Sequence, residues 1–439
     1  MKKAAREIVK KLQERGFEAY FAGGCVRDML LGIEPLDIDI ATSARPDEIE
    51  KIFEKTIPVG KQYGIIVVNM AGRNFEVATF RKEGGYFDAR HPTHVTFSKA
   101  KEDAQRRDFT INGIFYDPIK NKIIDLVGGV EDIKKKTIRF IGDPKERIEE
   151  DNLRLVRAIR FKITLGFQYA QTTYDAVRKY SYLIKNVSSE RIKDELDKIM
   201  ASPNRSQGLI ELSESGLLSY ILPEVEALKG VPQPPEFHLE GDVFVHTYLA
   251  LKSLPPKAPS HLGWAVLLHD IAKPLTLQKS GKRIVFHNHA QESAKLAEQI
   301  LKRLKFSKFE TYEICWLIEN HMKIGDIAKM RPNKRLEFLL DPKFEDLIKL
   351  SLADSMGTYP IRTDLTKKLE KQVKEAKAWA QTNKKKAKRI LTGDDLIKIG
   401  LPPGPEFQII LEEINDLAIE GKIKSKSQAI DFVKKKYVK

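Results

Sequence analysis

Gly23-Gly24-Cys25-Val26-Arg27-Asp28-Met29-Leu30-Leu31-Gly32, followed after four intervening residues by Asp37-Ile38-Asp39-Ile40-Ala41-Thr42, is the stretch that decides the fold. The apolar run Ala19-Tyr20-Phe21-Ala22 leads into the glycine pair and reads as a strand, and the residues from Cys25 to Leu31 read as a helix that stops at Gly32. At such a junction the bare backbone N–H groups and the helix N-terminus can meet phosphate oxygens. Arg27, one turn into the helix, can add a charge-assisted contact. A strand predicted from Leu36 to Ile40 would send the side chains of Asp37 and Asp39 from one face.

Two carboxylates on one face can share divalent cations with open water positions, as Mg²⁺ prefers. Glu76, in Phe75-Glu76-Val77-Ala78-Thr79-Phe80, could add a third from a neighbouring strand. Three such ligands describe a two-metal site, one ion serving an attacking hydroxyl and the other a triphosphate. Each motif alone reads equally as a tight turn or as solvated acids. Together, a glycine pair before Asp-x-Asp with a downstream acid is far more specific.

Outward from this stretch, helical periodicity covers residues 3–15, and strand signals recur at 64–70, 75–80, 95–97, 113–117 and 122–125. Beyond residue 137 they stop. Segments with 3.6 periodicity take over from Asp143-Pro144, where Asp can cap and Pro can occupy the first turn. The expected class is α+β multidomain: a small mixed-sheet head at 1–137, then an elongated all-α region. Within that region a helical neck occupies 138–225. Val231-Pro232-Gln233-Pro234-Pro235 marks a boundary near the start of a histidine-bearing helical domain at 226–360. A helical tail at 361–439 carries the lysine run Lys384-Lys385-Lys386, Lys388, Arg389.

At 439 residues the chain exceeds one hydrophobic core. Its 76 Lys and Arg outnumber 61 Asp and Glu, leaving +15, which suits a polyanionic partner such as nucleic acid. A lysine-rich solvated surface accounts for the charge equally well. No apolar run is long enough to span a bilayer. The start, Met1-Lys2-Lys3, enters an amphipathic helix rather than a signal peptide. Cys25 and Cys315 have no metal-ligand spacing, so disulfide and zinc-finger readings fail. A reducing cytoplasm fits best.

The glycine and aspartate motifs resemble the signature of class II tRNA nucleotidyltransferases, the bacterial CCA-adding enzymes and their relatives, including bacterial poly(A) polymerases. Arg106-Arg107-Asp108-Phe109-Thr110-Ile111-Asn112-Gly113 is similar to the family's second motif and Asp125-Leu126-Val127-Gly128-Gly129 to the next. The resemblance implies that Asp108 and Asn112 lie near the ribose of an incoming nucleotide, with an arginine such as Arg107 near its phosphates. Glu150-Asp151-Asn152-Leu153-Arg154 resembles the base-recognition motif. Asp151 and Arg154 are three apart, hence neighbours on one helix face, and their acceptors and donors can imitate a complementary base edge. Out of context that pair is an ordinary helix ion pair, worth only about a few tenths of a kcal/mol. The resemblance reverses this preference. Arg157 would meet the triphosphate; Arg160, about half a turn from Asp151, is a weaker candidate. The segment from Ser189 to Leu196 resembles a motif that braces the neck. Residues 81–92 look like the flexible loop that relatives need for terminal A addition, which argues against a CC-only enzyme.

His246, His269-Asp270, His289, His321 and Asp354 are similar to the HD phosphohydrolase pattern, whereas His238 and His261 match nothing in it. Imidazole and carboxylate ligands there suit Mn²⁺, Ni²⁺, Mg²⁺ or another divalent metal. The resemblance to HD-bearing relatives implies activity on 2′,3′-cyclic phosphates or 2′-nucleotides. Taken together, these features imply Mg²⁺-dependent, template-independent addition of C and A from CTP and ATP to the 3′ end of tRNA. Within the same class stand an A-only enzyme and a poly(A) polymerase. Outside it stand a metal phosphohydrolase with a nucleotide-binding head, and a basic RNA-binding protein without chemistry. Membrane contact is not expected, and the oligomeric state stays open.

Overall fold

The computed structural model describes residues 1–86, 92–234, 241–280, 283–358, 363–384 and 390–438. His238, residues 87–91 of the loop at 81–92 and residues 385–389 of the lysine run lie outside them. The chain forms two compact units, Met1–Glu226 and Ala227–Lys439.

In the first unit a seven-stranded mixed sheet runs in the order β3-β4-β5-β2-β1-β8-β9. Its strands are β1 (Ala19–Ala22), β2 (Asp39–Thr42), β3 (Thr56–Ile57), β4 (Ile65–Met70), β5 (Arg73–Thr79), β8 (Ile114–Asp117) and β9 (Lys122–Asp125). Only β2 and β5 pair in parallel; the other neighbours are antiparallel. Helix Lys2–Glu14 packs on this sheet with Ala5, Ile8, Val9 and Leu12 buried, the stripe expected of an amphipathic helix. Phe21, Phe80, Phe109 and Phe115 fill the interior.

Two features differ from the sequence expectation. The strand bearing the acidic pair begins at Asp39, so Asp37 stands in the connection just before it. The stretch at 81–92 is not merely a loop: β6 (Arg81–Tyr86) pairs as a separate antiparallel hairpin with β7 (Pro92–Phe97), which contains the strand expected at 95–97. The charged, glycine-bearing stretch around Gly84-Gly85 masks strand character because cross-strand pairing, not an apolar face, defines it.

Helices dominate from Pro144 onward, but strands do not vanish. Thr137–Ile138 pairs with Gln168–Tyr169, and Leu277–Ser280 pairs with Arg283–Phe286. Two- and four-residue strands are too short to leave a periodic signal. Helix Arg154–Leu165 buries Leu155, Val156, Ala158, Ile159, Phe161 and Ile163, and packs on Ser189–Ala201. In the second unit, Val243–Ser253, Ser260–Leu268, His289–Arg303, Lys308–Asn320 and Phe344–Met356 enclose a core around Trp264 and Phe344. The end of the chain forms its own cluster around Leu391, Leu396, Ile410, Ile414 and Val433. Among the described residues no helix is long and apolar enough to cross a membrane.

Candidate functional site

β1 delivers the chain to Gly23 with φ +73°, and helix Gly24–Leu30 starts at the next residue. That left-handed backbone favours glycine, and a Cβ at Gly23 would lie 2.8 Å from Arg107 Nη1. The glycine therefore gives room for a guanidinium as well as for the turn.

Around it opens a cleft of about 450 Å³. Gly23, Gly24, Arg27, Asp37, Asp39, Arg107, Asp108, Asn112, Asp151, Arg154 and Arg157 all line it, joined by Arg106, Arg160 and Phe161. In the parallel β2–β5 pairing Ile40 faces Val77, which puts Asp39 and Glu76 one residue earlier on adjacent strands. Asp39 opens to solvent, yet partial desolvation, then the charges of Asp37 and Glu76, push its carboxyl up to about 6, with Arg107 opposing. Crowded, accessible carboxylates of this kind fit a divalent cation, which offsets the repulsion that adds to desolvation in raising Asp39.

The cationic wall is held from behind. Arg27 donates to Asn112 Oδ1 at 2.7 Å and to Asp28 at 2.9 and 2.7 Å. Asp108 accepts from the Phe109 N–H at 2.7 Å, Asn112 Nδ2 at 3.0 Å, and Arg157 Nε and Nη2 at 2.9 and 2.6 Å. Burial pushes the Asp108 carboxyl up, but Arg157 and Asn112 overcome it and hold the group well below the carboxylate range. The next glycine motif supports this corner: Asp125 accepts four backbone N–H groups between Val127 and Val130, at 2.9 to 3.1 Å. Thr110 donates to Asp132 at 2.7 Å in the same brace.

Asp151 and Arg154 both reach the cleft, but not from one helix face. Asp151 caps the C-terminus of Pro144–Glu150 in extended conformation, and Arg154 begins the following helix. Arg154 Nη1 donates to Glu150 Oε2 and the Arg147 carbonyl, both at 2.7 Å, and Nη2 to the Arg106 carbonyl at 3.1 Å. Arg191 donates to both oxygens of Asp151. Arg160 binds Glu195 at 2.6 Å, its guanidinium 3.6 Å from the Phe161 ring centre. The roles of Arg106, Phe161 and Arg191 were not assigned from sequence. The quoted motifs contain Arg106 and Arg191, whereas Phe161 lies in none of them and carries no signal that separates it from other buried helix positions.

The second unit gathers the histidines. His246, His269, Asp270 and Asp354 form one group and Asp270, His289 and His321 another, each with potential ligand atoms within 4.8 Å of one another. His246 Nε2 lies 3.0 Å from Asp354 Oδ1, and His289 Nε2 3.5 Å from Asp270 Oδ1. On the outer side, Nδ1 of His246, His269, His289 and His321 meets the carbonyls of Gly357, Val266, Phe286 and Ile318 at 2.7 to 3.2 Å. Those carbonyls favour a proton on Nδ1 and aim each Nε2 inward. Asp270 Oδ1 is buried without a hydrogen-bond donor. Burial lowers the His269 pKa, but Asp270 and Asp354 reverse this and push it to about 10; burial, then His269, pushes His321 down to about 4. A divalent cation would meet the charge demand that the His269 proton meets here, and the orphaned carboxylate oxygen fits such an ion. Among candidates left outside the HD pattern, His261 pairs with Asp346 at 2.8 Å, away from this centre. Lys273, unforeseen from sequence, touches Asp270 at 2.6 Å and Gln233 at 2.7 Å.

Three family models match: the poly A polymerase head domain at residues 19–139, the probable RNA and SrmB-binding site of polymerase A at 166–229, and the HD domain at 243–358. A CCA-adding enzyme from Lacticaseibacillus paracasei is 33% identical over 424 residues, spanning 95% of this chain and 92% of that one. One from Lactobacillus helveticus is 31% identical over 433 residues, with 97% and 95% covered. The crystal structure of the Bacillus stearothermophilus CCA-adding enzyme in complex with CTP superposes with a TM-score of 0.70 at 27% identity, over 99% of this chain and 98% of that one. With identity above 30% to both relatives over nearly the full length of each chain, the chain belongs to the family of CCA-adding enzymes.

Proposed function

We propose that the chain adds C and A nucleotides to the 3′ end of tRNA from CTP and ATP, without a nucleic-acid template. One observation carries the reading. A single cleft joins the glycine turn, Asp37 and Asp39, five arginines and the Asp151/Arg154 pair. Arg27, Arg106, Arg107, Arg157 and Arg160 can bind and orient a triphosphate. Asp37, Asp39 and Glu76 would hold Mg²⁺, which supplies charge neutralisation at the reacting phosphates. Asp108, with Asn112, positions the ribose while anchoring Arg157. Asp151 accepts and Arg154 donates toward the base edge, each fixed by its own partners. The tRNA 3′-hydroxyl then attacks the α-phosphate and pyrophosphate leaves. The two free thiols suit a reducing, cytoplasmic setting.

The paired histidine–carboxylate groups sharing Asp270 support a second activity, hydrolysis of a phosphate ester such as a 2′,3′-cyclic phosphate or 2′-nucleotide. His246, His269, Asp270, His289, His321 and Asp354 would hold a divalent metal (Mn²⁺, Ni²⁺ or Mg²⁺) that supplies Lewis acidity.

The test is incubation with tRNAs ending at the discriminator base, at C and at CC, each with every labelled NTP. CCA addition elongates all three and stops after one A. Elongation of the CC-ended tRNA alone would show an A-only enzyme, and growth well beyond one A a poly(A) polymerase.

A further inference from the structure

One buried acid ties the arginine wall of the cleft to the β6–β7 hairpin. Asp103, on helix Ala100–Gln105, is 1% exposed. Its Oδ1 accepts from Arg106 Nε at 2.9 Å and lies 2.8 Å from Arg106 Nη2. The same oxygen receives the backbone N–H of Arg81, the first residue of β6, at 3.3 Å. Its Oδ2 accepts from Arg107 Nε and Nη2 at 3.3 and 3.0 Å. Burial raises this carboxyl, but the two guanidiniums outweigh it and hold the group below its ordinary value.

Beyond Asp103, both arginines serve the cleft. Arg107 Nη1 reaches the Asn112 carbonyl at 3.4 Å and occupies the space beside Gly23. Arg106 lines the cleft and offers its carbonyl to Arg154. At the other end, the Arg81 guanidinium donates to the Tyr63 carbonyl, fixing the hairpin's base beside the turn that precedes β4. A buried ion pair is a poor source of stability, because desolvation cancels much of the attraction. What such an arrangement does well is fix direction. A carboxylate divided between two guanidiniums sets where each fork points, and its third donor is the chain entering the hairpin.

We propose that Asp103 is a positioning residue for nucleotide addition: it aims Arg106 and Arg107 at the phosphates of the incoming nucleotide and fastens that pair to the base of the β6–β7 hairpin. The proposal rests on the nucleotidyl-transfer reading of the cleft. It makes the hairpin and the phosphate grip one mechanical unit, so a shift of either reaches the other through a single side chain.

The experiment is steady-state incorporation by the full chain carrying Asp103→Asn or Asp103→Glu. Each is compared with the unsubstituted chain and with a chain whose residues 83–95 are replaced by Asn-Gly, a turn that can close Lys82 against Thr96. Asp103→Asn is expected to raise KM for CTP and ATP about tenfold, with KM for tRNA changed less than about twofold. Asp103→Glu, which keeps the charge, is expected to raise the nucleotide KM only about threefold. In the shortened-hairpin chain, which keeps Arg81 but has no hairpin body beyond Lys82 and Thr96, Asp103→Asn should cost less than about threefold, because the arginine pair has no hairpin left to follow. A lowered melting temperature with unchanged nucleotide KM would overturn the proposal in favour of a purely structural ion pair. Equal effects of Asp103→Asn in both backgrounds would overturn the link to the hairpin. Should the Asn variant fail to fold, the Glu variant decides: an unchanged nucleotide KM overturns the proposal, and the threefold rise supports it. No incorporation by the unsubstituted chain would instead overturn the cleft reading itself.

Discussion

Arg191 grips Asp151 with both terminal nitrogens, 3.0 and 2.7 Å from the two carboxylate oxygens, across 40 positions of sequence. Asp151 also receives the Leu153 N–H at 3.1 Å, and Arg154 is held independently by Glu150 and the Arg147 carbonyl. A protein edge that imitates a base must present its acceptors and donors at fixed positions, and these contacts supply that rigidity.

Arg191→Ala should therefore loosen selection more than catalysis. Ratios of kcat/KM for CTP and ATP over UTP and GTP are expected to fall about tenfold, the scale of one lost charged hydrogen bond. Uniform loss across all four nucleotides would show that Arg191 only stabilises the fold.

Asp108 and Arg157 give a pH signature. The folded carboxyl lies well below its ordinary value because Arg157 and Asn112 overcome burial. A depressed folded value means the stabilisation is complete above the unfolded carboxyl pKa of about 3.9 and fades as pH falls toward the folded value. The stability gap between the native chain and Asp108→Asn should stay constant from about pH 6 to 9 and narrow below about pH 4. Urea unfolding across that range measures it; a gap that closes above pH 6 would contradict the assignment.

Gly129 tests the brace beneath Asn112. A Cβ there would stand 2.1 Å from the Thr110 carbonyl oxygen, a backbone atom with no freedom to swing away. Gly129→Ala should destabilise the chain by about 1–3 kcal/mol, the usual scale of overpacking, and raise KM for nucleotide. Calorimetric melting and initial rates report the two effects, and a neutral outcome would mean that Thr110 is not fixed.

Much of this site was legible because its chemistry is local. Gly23-Gly24, Asp37-Ile38-Asp39 and the Arg106–Asn112 stretch carry their meaning in spacing, and the structure gathers them in one cleft. What spacing cannot carry is the long-range partner. Arg191 meets Asp151 and Arg160 meets Glu195 only because helices Arg154–Leu165 and Ser189–Ala201 pack together. Helical periodicity also placed Asp151 and Arg154 on one turn, whereas the chain leaves helical conformation at Asp151. The strand β6 is hidden for a related reason: five of its six residues are charged or glycine, so no apolar period reveals it, whereas Val95 to Phe97 in its partner β7 carry a strand signal.

The histidine centre yields a separable prediction. Asp270 belongs to both ligand groups, whereas His321 belongs to one. With Asp37 and Asp39 replaced by Ala to silence the head, Mn²⁺ titration by calorimetry should show binding that Asp270→Asn abolishes and His321→Ala only reduces. In the chain with its head intact, Asp270→Asn should leave nucleotide incorporation within about twofold. Equal loss of metal from both variants would argue that the groups act as one indivisible site.

In the proposed reaction the carboxylates beside the glycine turn carry nucleotide transfer. Asp39 is pushed up to about 6 by desolvation and by Asp37 and Glu76, as expected of acids crowded around a cation site. The most direct measurement is labelled CTP and ATP incorporation into tRNA lacking its CCA end by the Asp37→Ala, Asp39→Ala chain, with nucleotide binding followed in parallel. Incorporation should fall by at least about a thousandfold while the arginine wall still binds nucleotide. Incorporation at the level of the unsubstituted chain would contradict the account.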